Sequence, residues 1–166
     1  MGWFVALSPQ FFRGRSVCEL GAGCGLSGLV AAHTASSVVL TDGNEVVLRL
    51  LQRNAQQHAC PDKVSVAKLI WGDQTALQIY LSEHGAPDVL LGADVVCWPQ
   101  FVTPFLLTVK GLLQASVCID AALYLGYVCR ATTTTTALHA KAAAMGLAVE
   151  ALRMPPNHFN ADPEAR

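Results

Sequence analysis

The feature that most constrains the fold is an apolar segment running into a glycine-rich turn and then a helical pattern, Val17-Cys18-Glu19-Leu20-Gly21-Ala22-Gly23-Cys24-Gly25-Leu26. Gly21, Gly23 and Gly25 permit positive φ and let backbone approach a ligand where a Cβ would collide, and the following helix opens with unpaired N–H groups. A strand, a tight turn and a helix in this order predict the first βα unit of a parallel sheet, with a ligand at the carboxyl end of the strand.

The details of the turn narrow the ligand. Leu26 stands where a G-x-G-x-x-G dinucleotide fingerprint needs its third glycine, and Leu29 stands where a phosphate-binding loop spanning Gly23 to Gly28 needs lysine. A cofactor without phosphates fits better. Glu19 would repel a pyrophosphate and attract the cationic methionine portion of S-adenosylmethionine. Asp42, after the apolar run Ser37 to Thr41, offers two acceptor oxygens to a pair of ribose hydroxyls. Together they point to S-adenosylmethionine. The competing explanation is that the glycines only shape a tight turn and Asp42 caps the next helix.

The rest of the chain repeats the strand–helix alternation. Strands are expected over 16–20, 37–41, 64–71, 89–94, within 117–128, and over 147–152. Helices are expected over 26–34, 45–58, 75–84, 104–114 and 134–145, the last stopped by Gly146. The pattern predicts a doubly wound, mostly parallel α/β sheet in one domain spanning residues 1–166, with 1–15 as a residual N-terminal segment and 155–166 as a loose tail. A chain of 166 residues is long enough for one domain with a real core.

At this point the residues resemble the seven-stranded protein-lysine methyltransferases of the methyltransferase-16 family, over roughly residues 17–152. Glu19 to Leu26 is similar to the family's E-L-G-x-G-x-G-L motif, Thr41-Asp42 to its acidic second-strand motif, Asn54 to a helical asparagine, and Leu69-Ile70-Trp71 to its L-x-W. Gly92-Ala93-Asp94-Val95-Val96 resembles the start of its D-x-x-Y/F motif. The stretch over 87–99 most resembles the elongation factor 2 enzymes, and Leu40 to Glu45 the calmodulin enzymes. The resemblance implies a Rossmann-like methyltransferase fold and S-adenosylmethionine, converted to S-adenosylhomocysteine. The cofactor-binding positions are then Glu19, Gly21, Ala22, Gly23, Gly25, Asp42, Gly43, Trp71, Gly72 and Ala93, with Trp71 beside the adenine. By its residue type alone, a tryptophan at a strand end is more often core.

The same resemblance places Asp94 at the entrance for a substrate lysine, with Cys97 and Trp98 beside it. A carboxylate there would orient an ammonium, and aromatics would enclose its methylene stem. The sequence departs from the motif here. Cys97 takes the aromatic position, and Trp98 comes one residue late. Methyl transfer to an amine asks mainly for alignment and desolvation, so no general base is assigned.

Other classes fit less well. A formal net charge of -1 gives no global case for nucleic acid or an anionic membrane. The six cysteines have no C-x-x-C spacing and read as reduced thiols of a cytoplasmic protein. Neither a leader nor a membrane span is expected, and no metal site, because the five histidines lack ligand spacing. Cys97 lacks a preceding proline and an adjacent charge that would make it a nucleophile. The expected partner is a protein presenting a lysine to a monomeric enzyme. The segments ahead of the first strand and after the last read as short for the family, so a truncated, non-catalytic binding module is a second reading. A small-molecule methyltransferase is a third.

Overall fold

The computed structural model describes residues 1–152. Its centre is a parallel sheet of β1 (Ser16–Leu20), β2 (Ser37–Asp42), β3 (Val64–Lys68), β4 (Val89–Ala93) and β5 (Ala122–Gly126), in the order β3-β2-β1-β4-β5. The helices are α1 (Gly2–Leu7), α2 (Leu26–Ala31), α3 (Glu45–Gln56), α4 (Gln74–His84), α5 (Pro99–Ala115) and α6 (Thr132–Ala144). The chain runs outward from β1 to β3 and then returns to β4, which pairs with β1 from Val17↔Val89 to Leu20↔Gly92. The order therefore reverses between β1 and β4, the position at which such sheets bind ligands.

The inner strands β1, β2 and β4 are mostly buried and largely apolar because helices cover both faces, whereas the edge strand β3 alternates Val64-Ser65-Val66 and is only partly buried. Val17, Val38, Leu40, Val89 and Leu91 face one core with residues of α1, α2 and α3. Cys18, Leu20, Val39 and Leu90 face the other, with residues of α4, α5 and α6. Side chains at α-helix starts satisfy the first N–H groups: Asn44 Oδ1 accepts from Val46 (2.8 Å) and Asp73 Oδ1 from Thr75 (2.8 Å).

Several sequence expectations change. The third strand stops at Lys68 rather than residue 71, since Leu69 makes a last bond to Asp42 O (3.1 Å) before the chain turns at Gly72 with φ +80. Helix α5 starts at Pro99, not at residue 104: proline is as well suited to the first helical position there, and Pro104 falls inside the helix. The expected strand over 147–152 does not form. Gly146 (φ +75) ends α6, Leu147 N bonds back to Ala142 O (2.9 Å), and Leu147 packs on the core as the cap's apolar contact. With Leu147 used by the cap, Val149 and Leu152 stay exposed. The described residues thus form five strands, neither the six read from the sequence nor the seven implied by the resemblance. The tail over 155–166 lies outside the described residues.

The N-terminal segment packs against the sheet. Phe4, Phe11 and Phe12 gather around Tyr124 of β5 at ring separations of 5.5, 5.2 and 5.7 Å. Phe12 has no exposed surface. This aromatic group covers one face of the edge strand. Phe12→Ala is expected to destabilise the fold by about 3–5 kcal/mol in urea denaturation.

Candidate active site

A cleft of about 420 Å³ opens beside the carboxyl ends of the central strands, within the roughly 300–1,000 Å³ typical of small-ligand sites. Gly21 after β1, Asp42 and Gly43 at the end of β2, and Leu69, Ile70 and Trp71 after β3 line one side. Ala93, Asp94 and Val95 at the end of β4, with Phe101 and Pro104 of α5, line the other.

The glycine turn is shaped by its surroundings residue by residue. Gly21 (φ +62) passes under Trp71, whose Cζ2 would lie 3.0 Å from an added Cβ. Trp71 in turn meets Phe105 edge-on at 5.1 Å, so it is both a core residue and a wall of the cleft. Asp42 clips the turn from the next strand: its Oδ2 accepts from Gly23 N (3.3 Å) and its Oδ1 from Asn44 N (3.0 Å). Around Gly23 (φ +57) a Cβ would meet nothing, whereas at Gly25 (φ +82) it would strike Leu51 and Leu40 of the core. Gly25 is therefore required by packing under α2. Ala22 is buried and bonds to Thr41 O (2.8 Å), and Gly72 packs on Pro104 and donates to Thr108 Oγ1 (2.9 Å). Ala22, Gly23, Gly25 and Gly72 are not among the lining residues.

Glu19 lies elsewhere than its charge suggested. Strand alternation turns it, with Val17, toward α2, where it is 2% exposed and its Oε2 accepts from Gly28 N (2.8 Å). A Cβ at Gly28 would come 2.8 Å from that oxygen, so the glycine admits the carboxylate beneath the helix. Burial pushes the Glu19 carboxyl up to about 7, opposed by the bonds from Gly28 and Ser27. It bonds to the start of α2 and is not among the residues that line the cleft.

On the opposite side of the cleft, Asp94 takes φ +59, a left-handed conformation uncommon outside glycine, and its N–H bonds to Gly126 O (2.7 Å). Its carboxylate receives a two-pronged ion pair from Arg130, on the loop after β5. That bond holds the Asp94 carboxyl below the usual carboxylate range. Cys97 Sγ donates to Asp94 O (3.4 Å) and lies off the cleft wall. Trp98 is 59% exposed and packs edge-on against Phe101 at 6.0 Å. The aromatic that lines this side of the cleft is Phe101. A helix start at Pro99 would have pointed to it, and strand β5's carboxyl end, where ligand groups collect in such sheets, would have pointed to Arg130. Among the described residues no group of three or more His, Cys, Asp or Glu is arranged for a metal ion, and no helix is long and apolar enough to cross a membrane.

A sequence model described as lysine methyltransferase matches residues 5–137. The chain belongs to that lysine methyltransferase family. It is 34% identical over 127 residues to the calmodulin-lysine N-methyltransferase of Arabidopsis thaliana, covering 73% of this chain and 40% of that protein. It is 36% identical over 130 residues to the protein N-lysine methyltransferase METTL21A of Mus musculus, covering 76% and 57%. The mouse histone-arginine methyltransferase METTL23 matches at 33% over 114 residues, covering 68% and 42%. The chain spans about half the length of these relatives. Its fold is that of the CcbJ methyltransferase from Streptomyces caelestis (TM-score 0.60, 17% identity, 75% and 47% coverage). The TehB-like S-adenosylmethionine-dependent methyltransferase from Corynebacterium glutamicum shares it (TM-score 0.55, 14% identity, 84% and 71% coverage).

The position of Glu19 makes the fold of this family member sensitive to pH. Folded Glu19 keeps its proton to about pH 7, whereas in the unfolded chain the carboxyl titrates near its ordinary value of 4.5. Its contribution is fully present below pH 4.5 and is lost as pH rises through 7, a fall of about 3 kcal/mol. Chemical denaturation across this range should show that decline, and Glu19→Gln, which keeps an acceptor for Gly28 without a charge, should flatten it.

Proposed function

We propose that this chain carries the S-adenosylmethionine site of a protein-lysine N-methyltransferase. The observation that supports it most is the convergence of Gly21, Asp42 and Trp71 on one cleft at the switch point of the sheet. Each residue suits a part of that cofactor. Asp42 bonds two backbone N–H groups and retains acceptor capacity for ribose hydroxyls. Trp71, with Leu69 and Ile70, offers an apolar wall to an adenine ring, and Gly21 leaves the strand end free of a side chain. The bound cofactor would supply an electrophilic methyl group on a sulfonium.

The chain's own residues then have to align the acceptor and keep water out. Asp94 orients an incoming ammonium, and Phe101 and Trp98 flank its methylene stem. On leaving Asp94 for the apolar part of the cleft the amine has its pKa lowered and gives its proton to water at the cleft mouth, so it reaches the neutral, nucleophilic form without a dedicated base. The acceptor class, lysine on a protein, agrees with what the Arabidopsis relative's name states of that enzyme. We place the enzyme in the cytoplasm as a monomer without nucleic-acid partners, in keeping with its near-zero net charge and its free cysteines.

Calorimetry with S-adenosylhomocysteine tests the reading. The wild-type chain should bind, and Asp42→Ala should weaken binding by roughly tenfold or more, the cost of losing hydrogen bonds to a charged group. Absent binding, or equal affinity in the variant, overturns it. With tritiated cofactor and a cell lysate, label is expected in protein. Label in the low-mass fraction would point to a small-molecule acceptor, and binding without any transfer to a non-catalytic module.

A further inference from the structure

Asp94 is the carboxylate best placed to receive an acceptor's cation, yet in this structure it already holds one. Arg130 reaches it across 36 residues of sequence and engages both carboxylate oxygens. The same guanidinium lies 3.6 Å from Cys97 Sγ, on the loop between β4 and α5, and through Asp94 it borders the cleft. The backbone of Asp94 takes a left-handed conformation and is tied to Gly126, and both carboxylate oxygens are taken up by the Arg130 fork, so a second cation has to displace it. Arg130 and Asp94 side chains are 49% and 42% exposed, so water screens the pair and it is cheap to open. A tight, buried pair could not be given up in a catalytic cycle; this one can.

We propose that Arg130 occupies the cation seat of the acceptor site, and that an acceptor amine enters only as Arg130 releases Asp94. The inference rests on the lysine methyltransferase reading of the cleft. It makes Arg130 a specificity-determining residue. A free alkylamine brings little beyond its charge and competes poorly with a guanidinium already in place. A protein acceptor also brings contacts for the exposed Trp98 and Phe101, and these offset the displacement.

The test is a titration with n-butylammonium, followed by tryptophan fluorescence, in the presence and absence of S-adenosylhomocysteine. Arg130→Met, which keeps a stem but no charge, should bind n-butylammonium roughly threefold more tightly than wild type, the order expected for removing an exposed ionic competitor. Arg130→Lys, which keeps charge but loses the fork, should fall between the two and carries the test if the methionine variant does not fold. Adding Asp94→Asn to either should abolish the gain. Unchanged or weaker binding in the Arg130 variants, or no binding to any of the proteins, overturns the proposal, because a purely structural Arg130 gives no gain of affinity. Failure to bind S-adenosylhomocysteine would instead overturn the methyltransferase reading, while the cofactor-free titration still decides the fate of the seat.

Discussion

Gly28 donates its backbone N–H to the Glu19 carboxylate inside the core (2.8 Å), and this bond sets how α2 leaves β1. Everything at the site follows from that departure. The turn between them has to pass from a buried strand to a helix within Gly21 to Gly25, which places three glycines at positive φ in succession with single residues between them. Asp42 then secures the middle of the turn through Gly23 (3.3 Å) while its position at the end of β2 keeps it on the cleft wall. A carboxyl group held in the core and a carboxylate held at its edge do different work: the first fixes a backbone path, and the second presents polar oxygens along it.

The two halves of the cleft are built to different degrees of rigidity. On the Gly21, Asp42 and Trp71 side, backbone bonds and buried rings fix the geometry, and Trp71 is braced by Phe105. On the Asp94 side, Arg130, Trp98 and Phe101 are exposed side chains held by the Asp94 ion pair, a contact from Arg130 to Cys97 Sγ and the Trp98–Phe101 ring contact. Such a division suits a site that must present one invariant small molecule to a larger and more variable acceptor. Rigid walls preorganise the first, and adjustable ones admit the second.

Much of this was legible in the sequence because parallel strands buried on both faces leave uninterrupted apolar runs, and because Gly146 marks the end of α6; the caps at Asn44 and Asp73 emerge only in the structure, where the sequence offered Asp42 as the cap of α3. The orientation of Glu19 was not legible. A carboxylate before a glycine turn reads as a ligand group until strand alternation is followed to show which face it occupies, and here it faces α2. Residues 147–152 carry strand-like composition, but the cap of α6 claims Leu147 first. The aromatic group around Tyr124 and the Arg130–Asp94 pair join residues far apart in the chain, and no local pattern announces either. Phe101 was missed for a nearer reason, since Pro99 and Pro104 both fit a helix start and only the structure shows which one begins it.

The central claim is that one cleft, framed by the ends of β1, β2, β3 and β4, receives S-adenosylmethionine. Mapping backbone amide shifts by NMR during titration with S-adenosylhomocysteine tests it most directly. The account predicts saturable shifts concentrated at Gly21, Gly23, Asp42, Gly43, Trp71 and Asp94. Saturable shifts centred instead on the surface groove between α3 and β3, around Gln52, Gln56 and Val66, or no saturable shifts at all, would contradict it.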